Sequence, residues 1–241
     1  TIWGNPETSQ EMVDAVADAG FNTIRIPIAY LSKIDDNNGY KIDDEWLERI
    51  AKVVDYCYER ELFAILNIHG DGFHTITGGW LLCDSDEQEI IKKKYKAVWK
   101  QVAERFAEYD EHLIFESMNE IFDGIYYDPV KEYYENINDY NQIFVDTVRE
   151  SGKNNTHRWL MVCGWNTNID YTCGDYGFRF PDDDGNTAED GRLILSVHFY
   201  DPWDYCGEEE KDVFLWGEKG MEISDEYGIS PDNVANWGDE S

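Results

Sequence analysis

The sequence predicts an α/β protein built on a parallel sheet, and more narrowly part of a (β/α)8 TIM barrel. Three observations lead to this prediction. Five short apolar runs alternate with amphipathic helical segments along 241 residues, which is the pattern of repeated βα units. The runs are almost continuously apolar, as in strands buried on both faces. Polar, chemically capable side chains recur at the ends of these runs, where the active sites of barrels lie.

The elements follow from periodicity. The predicted strands are residues 21–28, 62–68, 113–118, 159–163 and 193–199. Apolar positions recur at helical spacing over residues 9–19, 43–60, 86–109 and 137–151. Each helical stripe is narrow and its opposite face is charged, as expected of helices that surround a sheet. The alternation indicates right-handed crossovers between parallel strands.

A doubly wound sheet would show the same alternation of elements. The absence of a GxGxxG turn after an early strand favours the barrel. A barrel needs eight strands, and the sequence shows about five βα units. The chain starts on a helix and closes on a polar segment, residues 222–241, with no predicted element after it. We therefore expect one partial domain, residues 1–241, without the first strand and the last two strands of a barrel.

Composition limits the class of partner. Lys and Arg number 20 against 51 Asp and Glu, which gives a net charge of −31. Such a surface repels nucleic acid and anionic membranes and suits a neutral or cationic partner, and solubility alone is the alternative explanation for it. The 9 Trp and 16 Tyr fit stacking on sugar rings, although many belong in an ordinary core. The five cysteines form no CxxC pair or zinc pattern. No apolar run approaches the roughly 18 residues of a membrane span.

The chain resembles glycoside hydrolase family 5, the cellulase-type (β/α)8 barrels. The resemblance rests on five segments in the family's order, residues 3–8 (WGNPET), 20–27 (GFNTIRIP), 67–69 (NIH), 115–120 (FESMNE) and 196–200 (SVHFY). Residues 140–142 and 166–168 resemble the endoglucanase and xyloglucanase branches. The resemblance implies a retaining endo-β-1,4-glucanase, without cofactor or metal, that acts on cellulose, mixed-linkage glucan or xyloglucan. A β-mannanase of the same family and a non-catalytic glycan-binding barrel are the alternatives.

The resemblance assigns the acid/base role to Glu120. In a retaining glycosidase one carboxylic acid protonates the leaving glycosidic oxygen and then deprotonates the incoming water. A glutamate that caps the next helix is the alternative for Glu120. Asn119 is implied to hydrogen-bond the sugar 2-hydroxyl, a contact that strengthens in the transition state, and its alternative is a turn residue.

Further substrate-binding residues are implied at other strand ends. Arg25 is a charge inside an apolar strand, which is costly unless paired. The resemblance implies that it supports the nucleophile, and a structural ion pair is the alternative. His69 is implied to bind a sugar hydroxyl, His198 to hold the acid/base region or the substrate, and Tyr200 to contact the nucleophile. Core histidines and a plain cleft aromatic are the alternatives. His69 is followed by Gly70, where many family members carry a second histidine.

Three tryptophans are predicted in loops that follow strand ends, namely Trp80, Trp165 and Trp203. Apolar faces of sugar rings stack on indole rings in such positions, whereas many loop tryptophans only pack under their own loop.

The family places its nucleophile as a Glu at the end of the seventh strand. Glu218 is a local match, but we reject it because too few residues separate it from His198 to hold a crossover helix. Residues 217–220 are expected instead to form part of a long loop. The nucleophile is therefore expected beyond Ser241, and this fragment alone is expected to be inactive. Secretion is expected because a polymeric glucan cannot enter a cell. The full-length protein has room for appended carbohydrate-binding or anchoring modules, which the sequence neither requires nor excludes.

Overall fold

The computed structural model describes residues 6–183, 191–207 and 213–236. Residues 3–5 of the first motif lie outside this part of the chain. The described residues divide into two compact units, one up to Val197 and one from His198 onward. The expectation of one domain over residues 1–241 stays a prediction.

The strands are β1 Thr23–Ile28, β2 Ile34–Asp35, β3 Lys41–Ile42, β4 Phe63–Ile68, β5 Leu113–Glu116, β6 Leu160–Asn168, β7 Leu193–His198, β8 Leu215–Trp216 and β9 Val234–Ala235. The helices are α1 Gln10–Asp18, α2 Asp44–Tyr58, α3 Gln88–Arg105, α4 Lys131–Glu150, α5 Ile169–Cys173, α6 Trp203–Cys206 and α7 Gly217–Tyr227. No helix in the described ranges has both the length and the apolar character needed to cross a bilayer.

The main sheet has the order β1-β4-β5-β6-β7. The pairs β1/β4, β4/β5 and β5/β6 are parallel. The order follows the chain without reversal, as in a barrel wall, whereas a doubly wound sheet reverses its order at a switch point. The predicted partial (β/α)8 architecture is thereby confirmed, with five strands in the described sheet and with β1 and β7 at its edges.

The core lies between one face of the sheet and the helices. On β4 and β5 the side chains of Ala64, Leu66 and Phe115 are at most 1% exposed. Trp99 of α3 packs against Phe115 with ring centroids 5.5 Å apart. The side chains on the other face include Arg25, Ile65 and Ile114. In the strand register Arg25 is paired with Ile65, and Ile65 with Ile114. Side chains at paired positions of a parallel sheet point to one face, so Arg25 lies on the face opposite to this core.

The structure corrects several boundaries. Helix α4 begins at Lys131, not near residue 137, because Tyr134 continues the buried stripe. Strand β6 runs past residue 163 to Asn168, since Gly164 lets Thr172 and Tyr134 approach its backbone. The hairpin β2–β3 was not predicted.

The prediction of a loop at residues 217–220 was wrong, because this segment begins α7. Residues 222–241 also contain regular structure, since α7 continues to Tyr227 and β9 pairs with β8. Glu218 lies in the first turn of α7. The two-residue strands were missed because the prediction relied on longer apolar runs.

Candidate active site

The predicted residues of the first unit lie at one edge of the sheet. Parallel strands bring their carboxyl ends to the same edge. Arg25 lies in β1, His69 directly follows β4, and Asn119 and Glu120 follow β5 by a few residues. The topology therefore places His69, Asn119 and Glu120 at this edge, and Arg25 reaches it from within β1 through its hydrogen bond to Asn119. The roles of these residues toward substrate stay predictions.

Arg25 is the centre of a polar cluster on this edge. Its Nε donates to Oε2 of Glu116 at 2.6 Å, and its Nη2 donates to Oδ1 of Asn119 at 3.0 Å. The charge in the apolar strand thus has its required partner, and that partner is Glu116. Support of a nucleophile by Arg25 stays a prediction.

Glu116 was not singled out from the sequence. Its side chain is 1% exposed, and Oε1 accepts a hydrogen bond from Ser196 at 2.8 Å while Oε2 binds Arg25. Both carboxylate oxygens are engaged and shielded from solvent, so Glu116 is a structural carboxylate and not a nucleophile. The unpaired charge of Arg25 was the signal that such a partner had to exist.

The ion pair also orients Asn119. A guanidinium only donates hydrogen bonds, so the amide atom that faces Arg25 must be Oδ1. The other atom, Nδ2, is buried and has no hydrogen-bond partner among the described residues. A buried amide donor without a partner costs free energy. Asn119 therefore presents a fixed donor that a bound hydroxyl would satisfy.

Glu120 directly follows this oriented amide and is half-buried. Its backbone has a φ of 35°, a left-handed conformation that is uncommon outside glycine. Its backbone N–H donates to Oγ1 of Thr167 at 3.0 Å. The next strand, β6, thus supports the backbone of Glu120, and Thr167 is a second residue that the sequence analysis missed.

Asp71 fixes the loop after β4 and was also missed. It is fully buried, and its carboxylate accepts from the backbone N–H groups of Tyr30 and Leu31 at 2.9 and 2.8 Å. It also accepts from Nε1 of Trp80 at 2.6 Å. Burial raises the pKa of Asp71, although the three donors act in the opposite direction. Asp71 ties the loop after β1 to the loop after β4.

Trp80 lies in a loop, as predicted, and is held on two sides. Asp71 binds its indole nitrogen, and the ammonium of Lys94 lies 4.8 Å from the ring centroid. The ring is half-buried and lines a 350 Å³ cleft together with Tyr40 and Leu82. Trp80 is therefore an immobilised ring beside an open cleft.

Replacement of Asp71 by Asn should destabilise the protein by about 1–3 kcal/mol. The side chain of asparagine has only one acceptor oxygen. Its NH2 group would lie against an N–H group that now donates to the carboxylate of Asp71. The free energy of unfolding from urea titration measures the effect. Asp86→Asn is the matched control, because Asp86 lies exposed in the same loop. Equal stability of both variants would contradict the anchoring role.

The loop position predicted for Trp165 was wrong. Trp165 lies inside β6 and is 1% exposed. Its ring packs against Tyr134 with centroids 5.9 Å apart. A ring enclosed in this way offers no face to a sugar, so we assign Trp165 to the core. The error arose because the predicted strand ended at residue 163, whereas β6 continues to Asn168.

The second unit brings three further candidates together. His198 is the last residue of β7, and its ring centroid is 6.4 Å from that of Tyr200. Tyr200 in turn lies 6.2 Å from the ring of Trp203, which belongs to the short helix α6 and not to a loop. Tyr200 and Trp203 are about half exposed. Their roles toward substrate stay predictions.

No metal centre is recognisable in the part of the chain that the structure describes, since no three His, Cys, Asp or Glu side chains are grouped as ligands there. The expectation that the reaction needs neither metal nor cofactor stays a prediction.

Known proteins resemble this chain along almost its whole length. Endoglucanase A of Paenibacillus barcinonensis is 49% identical over 244 residues, which cover 100% of this chain and 59% of that protein. A family 5 xyloglucanase from Paenibacillus pabuli, solved with ligand, has 52% identity and a TM-score of 0.87 over 90% of this chain and 62% of its own.

A third relative was solved with a cello-oligosaccharide. The glycoside hydrolase 5 lichenase from Caldicellulosiruptor sp. F32, solved as a mutant in complex with cellotetraose, has 33% identity and a TM-score of 0.78. The match covers 93% of this chain and 64% of the lichenase chain. The chain thus spans less than two thirds of these relatives.

The family model named Cellulase (glycosyl hydrolase family 5) matches residues 1–236. This match covers nearly all of the chain and agrees with the barrel-wall topology and with the polar cluster at the carboxyl edge of the sheet. The chain therefore belongs to the cellulase family, glycosyl hydrolase family 5.

Proposed function

We propose that the protein of which this chain forms part is a retaining endo-β-1,4-glucanase, with Glu120 as its acid/base. The observation that supports it most directly is the orientation of Asn119. Arg25 holds Oδ1 of this amide at 3.0 Å, which leaves the buried Nδ2 donor without a protein partner beside Glu120 among the described residues. A sugar hydroxyl next to the scissile bond is the natural acceptor for this donor.

The proposed reaction has two steps. In the first, the carboxyl proton of Glu120 passes to the glycosidic oxygen as the bond from that oxygen to the anomeric carbon breaks. A carboxylate from outside the described residues attacks the anomeric carbon and forms a glycosyl ester. In the second, Glu120 takes a proton from water, whose oxygen displaces the ester and restores the carboxylate. Asn119 donates to the 2-hydroxyl in both steps.

The surroundings suit an uncharged polysaccharide. The net charge of −31 disfavours anionic ligands and leaves neutral sugars unaffected. Trp80 supplies an immobilised ring beside a cleft, and His69 follows a strand on the same edge as Glu120. We propose these residues, together with His198, Tyr200 and Trp203, as contacts along the glucan, and we propose that the enzyme acts outside the cell.

The relatives narrow the proposed substrate to β-glucans. Those compared above are an endoglucanase, a xyloglucanase and a lichenase bound to cellotetraose. Each of these names describes action on, or binding of, a glucan. We therefore propose cellulose, mixed-linkage glucan and xyloglucan as the candidate substrates.

The test uses the full-length protein on carboxymethylcellulose, lichenan, xyloglucan and mannan, with the Glu120→Gln variant as the blank. We expect release of reducing ends from at least one glucan by the wild type and almost none by the variant. Hydrolysis of mannan alone would replace the proposed substrate by that of a β-mannanase. Glucan binding without turnover would indicate a non-catalytic glycan-binding barrel.

A further inference from the structure

The segment after β5 and the end of β6 are joined by two hydrogen bonds that involve backbone groups. The N–H of Glu120 donates to the hydroxyl oxygen of Thr167 at 3.0 Å. The N–H of Asn166 donates to the carbonyl oxygen of Ile121 at 2.9 Å. The two bonds run in opposite directions between residues 120–121 and 166–167. Two contacts fix the relative position of the two segments, whereas a single contact would still allow a rotation.

The same junction contains unusual backbone conformations. Glu120, Asn166 and Thr167 have φ values of 35°, 51° and 52°. Positive φ is disfavoured for any residue with a side chain, and for a β-branched residue such as threonine it is a genuine outlier. Each such conformation is strained and persists only where its surroundings enforce it.

Burial adds to the constraint. Thr167 is 1% exposed. Bulk water therefore cannot replace the N–H of Glu120 as the hydrogen-bond partner of its hydroxyl. Loss of the hydroxyl would leave that N–H without this acceptor at a part-buried position, which is unfavourable. The backbone of Glu120 could then leave its left-handed conformation.

We infer that Thr167 is a positioning residue for Glu120, and this inference rests on the proposed acid/base role of Glu120. The hydroxyl of Thr167 holds the N–H of Glu120 and so sets the direction in which the glutamate side chain leaves the backbone. Proton transfer requires the carboxyl oxygen within about 2.6–3.2 Å of the glycosidic oxygen. A displacement of about 1 Å can lower the rate about 100-fold.

The test separates protonation from the rest of catalysis. Thr167→Val in the full-length enzyme keeps the branched shape and removes the acceptor, whereas Thr167→Ser keeps the hydroxyl and is the matched control. Each variant is assayed by kcat/KM on cellotetraose and on 2,4-dinitrophenyl cellobioside. Cleavage of cellotetraose needs a proton on the leaving oxygen, while dinitrophenolate departs without one.

We expect kcat/KM of Thr167→Val on cellotetraose to fall about 10- to 100-fold. The value on the dinitrophenyl substrate should stay within about 2-fold of wild type, because the misplaced proton donor is not needed there. Thr167→Ser should behave as wild type on both. If Thr167→Val does not fold, as judged by its thermal transition, Thr167→Ala replaces it in the same comparison. Alanine also lacks the hydroxyl, and it avoids the strain of a branched side chain at positive φ.

Equal losses on both substrates would overturn the inference, because they would indicate a general effect on binding or folding. Unchanged values on both would overturn it as well. Glu120→Gln assayed in parallel separates this inference from the proposed function. If Glu120→Gln shows no substrate-dependent loss, the proposed function fails. If Glu120→Gln shows that loss and the variants without the hydroxyl do not, only the role of Thr167 fails.

Discussion

Glu120→Gln in the full-length enzyme is expected to lower kcat/KM on β-glucans by about 10²–10⁴-fold. Glutamine matches glutamate in shape but cannot donate a carboxyl proton to the glycosidic oxygen or accept one from water. The hydrogen bond from the backbone N–H of residue 120 to Thr167 does not involve the side chain. The thermal transition should therefore stay close to that of the wild type. Initial rates on lichenan and cellotetraose measure the loss.

The same variant provides a signature of the second step. With 2,4-dinitrophenyl cellobioside the glycosyl ester still forms, but water then lacks its base. Azide needs no deprotonation, so its nitrogen can displace the ester and give β-cellobiosyl azide with restored turnover. Glu111→Gln is the matched control, because Glu111 is exposed and precedes the start of β5. Wild-type rates for Glu120→Gln, or hydrolysis without azide product, would exclude the assigned role.

Arg158→Met should destabilise the protein by about 3–5 kcal/mol. Arg158 is 1% exposed and lies over the ring of Phe115, with the guanidinium carbon 4.7 Å from the centroid. Its guanidinium donates at 2.6–3.0 Å to five oxygens, the side-chain oxygen of Asn155 and the carbonyls of Asp110, Leu113, Phe106 and Tyr109. The substitution would remove all five of these hydrogen bonds.

The charge of Arg158 does not supply this stability. Burial lowers its pKa to about 10, well below the ordinary value of an arginine side chain. A lowered pKa means that the charged form of Arg158 is less favourable in the folded state than in the unfolded state. The charge therefore lowers the free energy of unfolding at every pH below about 10. The five hydrogen bonds must offset this cost. Arg158→Lys, with three donors, should therefore fall between wild type and Arg158→Met.

Urea titration of the full-length protein measures both variants. Arg105→Met is the matched control, since Arg105 lies at the end of α3, is 30% exposed and pairs with the largely exposed Glu48. Its loss should stay below about 1 kcal/mol. A free energy of unfolding for Arg158→Met within about 1 kcal/mol of the wild type would contradict the structural account.

The sheet and most of its helices were predictable because their signal is local. Near-continuous apolar runs and helical stripes place β1, β4, β5, β7 and α2 to within a few residues. Prediction from local apolar patterns failed where a contact distant in sequence determines the extent of a strand. The predicted strand ended at residue 163, yet β6 continues through Gly164, beside whose backbone Thr172 and Tyr134 fill the space. The wrong prediction of a loop position for Trp165 followed from that single error.

The candidate site was predictable in its types of residue but not in their connections. Arg25 was recognised as a charge that needs a partner. Its partner is 91 residues away on a strand that does not adjoin β1, and 51 acidic residues were available. Asp71 and Thr167 act through backbone N–H groups, which sequence does not distinguish from any others. Their roles depend on tertiary distances that periodicity does not encode.

The bonds of Glu116 bear on the order in which the protein folds. This carboxylate on the middle strand joins Arg25 on one edge strand to Ser196 on the other, across 91 and 80 residues of chain. Contacts of such separation carry a large loop-closure entropy and form slowly. The cluster that orients Asn119 is complete only when β1, β5 and β7 have all been assembled. We therefore expect the site to take its final arrangement late in folding, after these three strands have paired into one sheet.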